Sequence, residues 1–194
     1  MLNAVGRDIP QEVLDETGKT VFQGSYQFDQ HEYIKTAVKA KTRIGGSGSK
    51  FESSIQEVLQ KCNAHDGMTI SFHHHFREGD LVVMQVMNVI HELGYKDITI
   101  CASSLSKAQD DLVPMIEDGT VTHIETSGVR GKIGEAISEG KLKGIAILRS
   151  HGGRVRAIET GETKIDIAFI GAPSCDEYGN CRGVGGNSNC GVLS

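Results

Sequence analysis

The sequence predicts an α/β fold: a mostly parallel sheet with helices on both faces. Two observations predict it. From Asp66 onward short apolar stretches alternate with amphipathic ones, so strand and helix recur in turn. Gly94 and Gly140 stand where the helices of that alternation should end, as C-capping glycines do. Such alternation calls for parallel strands joined by right-handed crossovers.

The elements follow in chain order. Residues 1–30 are polar, punctuated by Pro10, Gly18 and Gly24, and read as an extended N-terminal arm. The α/β domain then occupies residues 31–194. Residues 30–41 have helical spacing, and residues 43–50, "RIGGSGSK", read as a mobile glycine-serine connector. They do not satisfy G-x-x-x-x-G-K-[ST], so no phosphate loop is assigned. Phe51, Ile55, Val58 and Leu59 give residues 50–62 the period of a helix. Strands are expected at residues 68–72, 98–102, 121–125, 144–148 and 165–170. Helices are expected within residues 80–94 and 128–140.

Bulk properties narrow the partners. The 194 residues carry 20 basic and 25 acidic side chains, a net charge of -5, which offers no basic stripe to a nucleic acid. No apolar run approaches the ~20 residues of a membrane span. The N-terminus lacks the charged start and apolar core of a signal peptide, so a cytoplasmic location is expected. Cys62, Cys101, Cys175, Cys181 and Cys190 are an odd, scattered set without a C-x-x-C pair. They read as free thiols in a reducing compartment, not as a zinc site.

In open α/β sheets ligands bind beyond the carboxyl ends of the strands. Here those ends read "SFHHHFREGD", "CASSLSK", "ETSGVRGK", "RSHGGRVR" and "GAPSCDEYGN". Small residues, hydroxyls, His and Arg recur where an ordinary connector needs only a turn. Together they describe a site for an anionic, hydrogen-bonding ligand. Adjacent residues of an extended chain face opposite sides, so His73, His74 and His75 cannot converge on one metal. Imidazoles, Arg77 and a helix N-terminus suit an anion better, with Glu78 and Asp80 as N-terminal capping residues. Ser127, Gly128, Arg130 and Gly131 repeat that chemistry with glycines that admit a ligand to the backbone. Ser150, His151, Gly152, Gly153 and Arg154 do so again, in a loop. Adjacent Ser and His are not a hydrolase pair, and no G-x-S-x-G elbow is present. Asp176, Gly179 and Asn180 suit turns, in a long glycine-rich segment of the kind that binds ligands at a sheet edge.

Taken together, "DGMTISFHHHFREGD", "VTHIETSGVRGKIGEAISEGKL", "RSHGGRVRAIE" and "IDIAFIGAPSCDEYGN" resemble the alpha subunit of citrate lyase, within the coenzyme A transferase superfamily. The likeness runs from Phe22 to the end of the chain. It implies the α/β fold already read from the alternation, and a citrate:acetyl-carrier transferase activity. Citrate replaces acetate on the thioester of the acyl carrier, and the beta subunit then cleaves the citryl thioester to oxaloacetate. The implied substrates are citrate and an acyl thioester on the carrier's coenzyme A-like prosthetic group, or acetyl-CoA. No cofactor or metal is bound directly. The implied partners are the beta and gamma (acyl carrier) subunits, in an oligomer. Arg77, Arg130 and Arg154 would divide citrate and the prosthetic group's phosphates between them. Members of the family are longer, with a second, similarly folded half that is absent here. The alternative is a non-catalytic fragment of the same fold that binds ligand or docks subunits.

Overall fold

The computed structural model describes residues 1–23, 48–73 and 81–182. The chain divides into two compact units, Met1–Lys35 and Thr36–Ser194. In the first, residues 1–23 are not extended. The Asn3 side chain accepts the amides of Val5 and Arg7, turning the chain so that Leu2 bridges Asp8 and the Ala4 amide reaches the Phe22 carbonyl. Helix α1 (Gln11–Thr17) lies inside this turn and ends at Gly18 in the left-handed region.

The second unit begins, among described residues, with α2 (Ile55–Lys61). Ser54 caps it by accepting the Glu57 amide, and Glu57 returns a carboxylate to Ser53. The strands are β1 (Thr69–His73), β2 (Ile98–Ala102), β3 (Val121–Thr126), β4 (Ala146–Leu148) and β5 (Ile167–Ile170). All five expected strands form, with β1, β4 and β5 starting one or two residues late. They make one parallel sheet in the order β4-β3-β2-β1-β5.

Helix α3 (Val82–Glu92) and α5 (Lys132–Ser138) are the expected helices, and Gly94 and Gly140 follow them with positive φ. A 3-10 segment (Lys107–Leu112) and α4 (Val113–Glu117) between β2 and β3 had no counterpart among the expected elements. Helix α6 (His151–Glu159) replaces the loop expected after β4. After β5, β6 (Ser174–Cys175) and β7 (Cys181–Arg182) form an antiparallel hairpin. Residues 30–41, 43–47, 74–80 and 183–194 carry other expectations but lie outside the described residues.

The sheet's two faces differ chemically. Ile70 and Phe72, Ile98 and Ile100, and Ile124 pack with α3, α4 and α5 through Val83, Met87, Ile90, Ile116 and Ile133. Burying such side chains is worth about 1.5–3 kcal/mol each, so this face drives folding. The alternate residues point the other way. Register puts Thr69, Thr99 and His123 in one transverse row, and Ser71, Cys101 and Glu125 in the next. A parallel sheet is normally apolar on both faces. This second face is polar, and α6 lies over it.

At the amino edge Asp118 ties three elements together. It accepts from Lys96 Nζ at 2.9 Å, His91 Nε2 at 2.8 Å and the Thr120 amide at 2.8 Å. Burial alone would raise its carboxyl, but Lys96, Thr120 and His91 hold it well below the ordinary range. An acid with a depressed folded pKa stabilises above its unfolded value of about 3.9 and loses that stabilisation as pH falls further. The melting temperature of D118N should therefore lie below that of the unsubstituted chain at neutral pH, and the gap should narrow below about pH 4. A gap independent of pH would show that the carboxylate's charge is not what stabilises.

Candidate functional site

All five strands run the same way, so their carboxyl ends share one edge. The chain steps from β1 outward to β4, then returns to place β5 on the far side of β1. That reversal makes the β1/β5 junction the switch point, where open α/β sheets bind ligands. Phe72 and Phe169, partners in register, stack with ring centroids 5.8 Å apart and fasten the junction. His73 ends β1 opposite Ile170 and is half-buried. It is the last residue of the strand, and alternation places it on the same face as Ser71. His74, His75 and Arg77 lie outside the described residues.

After β3, Ser127, Gly128 and Arg130 are held by the segment after β2. The Ser127 amide reaches Ser103 O at 3.2 Å, the Leu105 amide reaches Gly128 O at 2.9 Å, and the Arg130 amide reaches Leu105 O at 3.0 Å. This pairing extends the sheet and presents Arg130 to solvent. Ser127 Oγ is buried with no hydrogen-bond partner among the described residues. Gly131 differs from its expected part. The group that approaches it is the Asp110 carboxylate, which accepts the Lys132 amide at 2.8 Å. The N-terminus of α5 is thus neutralised from within the chain.

After β4, Ser150 Oγ accepts the Gly153 amide at 3.0 Å and starts α6, leaving His151 and Gly152 exposed at the edge. Arg154 departs from its expected ligand contact. It is 5% exposed, and its Nη2 donates to Ser71 Oγ at 2.8 Å and Cys101 O at 3.4 Å. Helical geometry turns it inward beside buried Ala157, three residues on. Burial pushes the Cys101 thiol up, while Arg154 pulls it the other way.

Asp176, Gly179 and Asn180 form the tip of the β6–β7 hairpin. Asp176 Oδ1 accepts the Tyr178 and Asn180 amides, and Oδ2 accepts Asn180 Nδ2. These bonds, Asn180's first, hold the Asp176 carboxyl below its ordinary value. Gly179 supplies the positive φ the turn requires.

The edge therefore gathers His73, Ser127, Gly128, Ser150, His151 and Gly152 at the ends of three strands, with Arg130 nearby in the chain. Reasoning from sequence missed the supports behind it. Arg149 joins Glu125 at 3.4 Å and Glu162 at 3.0 Å, and Thr163 Oγ1 donates to Glu125 at 2.6 Å. These partners are distant in sequence, and only the period-two pattern of Thr99, Cys101, His123 and Glu125 hinted at a polar face. An open cleft of about 280 Å³ on that face is lined by Thr69, Thr99, His123, Glu125 and Ile147. It lies toward the amino ends of the strands and includes no residue expected to bind ligand. Among the described residues no group of three His, Cys, Asp or Glu could hold a metal ion. Nor is any described helix long and apolar enough to cross a membrane.

Known proteins are similar to this chain in sequence and in fold. The family model described as citrate lyase, alpha subunit (CitF), matches residues 48–194. The citrate lyase alpha chain of Escherichia coli (strain K12) is 48% identical over 144 residues, covering 74% of this chain and 28% of that protein. The citrate lyase alpha chain of Haemophilus influenzae is 47% identical over 168 residues, covering 87% of this chain and 34% of that protein. A crystal structure of a citrate lyase alpha subunit from Streptococcus mutans, in complex with citrate, superposes with a TM-score of 0.75 at 45% identity. That match covers 97% of this chain and 36% of the other. This chain spans about a third of the length of the relatives it matches.

Proposed function

Since this chain belongs to the citrate lyase alpha subunit family, we propose that it supplies the citrate-binding N-terminal domain of a citrate:acetyl-carrier transferase. Residues 31–194 are then the N-terminal coenzyme A transferase-like domain of a longer enzyme. The observation that carries this reading is the likeness over 97% of the chain to a relative solved with citrate.

The chemistry asked of the edge is carboxylate exchange on a thioester. A citrate carboxylate oxygen attacks the acetyl carbonyl and the carrier thiolate leaves, forming a mixed anhydride. The thiolate then attacks the citryl carbonyl, and acetate leaves with the oxygen that citrate contributed. Both steps need an oriented polyanion and donors aimed at an oxyanion. Arg77, Arg130 and the imidazoles of His73, His74, His75 and His151 suit citrate and the phosphates of the carrier's prosthetic group. The backbone amide of Gly152 and the hydroxyl of Ser127 suit the oxyanion, while the Gly128 amide is taken by Thr126 Oγ1 at 3.3 Å. Arg154 supports the edge from beneath. The beta subunit and the gamma (acyl carrier) subunit are the partners, in a cytoplasmic oligomer.

The test uses the full reading frame with acetylated carrier and labelled citrate. Acetate release matched one for one by label on the carrier is the expected result. Citrate binding by calorimetry without exchange would instead favour a ligand-binding role. Pull-down of the beta and carrier subunits with neither citrate binding nor exchange would point to a subunit-docking role, and the absence of all three would sink every reading.

A further inference from the structure

Cys175 and Cys181 are opposite each other across the β6–β7 hairpin, and both are exposed free thiols. The hairpin's hydrogen bonds determine what kind of pair they form. The Asp176 amide donates to Asn180 O at 3.1 Å, and the Gly179 amide donates to Asp176 O at 3.0 Å. This is a three-residue hairpin loop closed by a glycine in the left-handed region. Asp176 and Asn180 are therefore a hydrogen-bonded pair. Alternation along an antiparallel ladder makes the next pair outward, Cys175 and Cys181, a non-hydrogen-bonded one. Such pairs bring Cα atoms to roughly 4.5 Å with their side chains on the same side. A disulfide spans Cα separations of about 4.4–6.8 Å.

We infer that Cys175 and Cys181 form a reversible cross-strand disulfide that locks the β6–β7 hairpin beyond the β1/β5 end of the sheet. The oxidant is a small disulfide such as glutathione disulfide. One cysteine thiolate attacks it, forming a mixed disulfide and releasing one glutathione thiolate. The second cysteine thiolate attacks the mixed disulfide at the protein sulfur and releases the other. Two electrons pass from the cysteine pair to the oxidant, and each thiol's proton ends on a released glutathione. The separation lies at the short end of the permitted range, and the site is exposed. Both features favour a bond that is easily reduced, as suits a switch in a reducing compartment. The bridge would clamp a tip whose Glu177 carbonyl also accepts the Lys50 amide at 2.7 Å. It does not depend on the transferase reading.

The purified full-length protein is titrated with glutathione redox buffers and followed by intact mass and peptide mapping. The expected product has lost two hydrogens, carries no adduct at either position, maps to a Cys175–Cys181 bridge and reverts with dithiothreitol. Ring closure is intramolecular, so the pair should oxidise at a glutathione disulfide concentration at least about tenfold below that which modifies Cys62. C175S and C181S should each give a glutathione adduct on the remaining cysteine, while C62S changes nothing at the hairpin. Circular dichroism confirms that the variants remain folded. Adducts on both hairpin cysteines of the unsubstituted protein, a bridge mapping to Cys190, or oxidation no easier than that of Cys62 would each overturn the inference.

Discussion

Arg154→Ala is expected to lower folding stability by about 2–4 kcal/mol, the sum of leaving the Ser71 hydroxyl and the Cys101 carbonyl without their charged donor. The loss should appear as a lower denaturant midpoint with an unchanged slope. Citrate binding should weaken in parallel, because α6 carries Ser150 to Gly153 at its start and would lose its anchor to β1 and β2. Arg154→Lys should recover only part of the stability, since the shorter lysine stem does not carry its ammonium to the place from which Nη2 reaches both acceptors. An arginine kept for an external anion predicts the reverse pattern. Removing an uncompensated charge would then leave stability unchanged or improved, with binding alone abolished. Unchanged stability in R154A would therefore return Arg154 to the ligand.

Much of this architecture was legible in the sequence, for reasons that differ by element. β2 has the bounds its sequence predicts, because an apolar run between turn signals has few alternatives as a strand. Gly94 and Gly140 marked helix ends because only the left-handed region suits that position cheaply. Helix α6 forms where the sequence suggests a loop, since Gly152 and Gly153 are poor helix formers. Their propensity is overridden by the Ser150 cap and by the burial of Arg154 and Ala157. The 3-10 segment carries a local signal of its own: Ser106 and Gln109 form a capping box, and Pro114 opens the helix after it. The gathering of His73, Ser127 and Ser150 at one edge is a direct consequence of parallel strands. What the sequence hid was the identity of each residue's partner. Arg154 meets Ser71 from 83 positions away, and Lys132 meets Asp110 from 22. Neither separation leaves a trace in local pattern, so side chains that support the edge looked the same as side chains that would touch a ligand.

Gly131 separates those two roles most sharply. Its φ of 72° and ψ of -157° lie in a region essentially reserved for glycine, costing a side chain about 1–3 kcal/mol in strain alone. A Cβ there would also overlap Asp110 Oδ1. Gly131→Ala should therefore destabilise by at least that strain, and the Asp110 carboxylate must move off the start of α5. In the double variant with Asp110→Ala the overlap is gone but the strain remains. The double variant should accordingly lose less than the sum of the two single losses. If Gly131 instead served a ligand, G131A would weaken citrate binding and lose only the backbone strain in stability, and the two substitutions would add. The double-mutant cycle, measured by denaturant unfolding without ligand, decides between internal cap and ligand cradle. Coupling would assign the N-terminus of α5 to Asp110, leaving the backbone after β3 and the start of α6 to meet the anion.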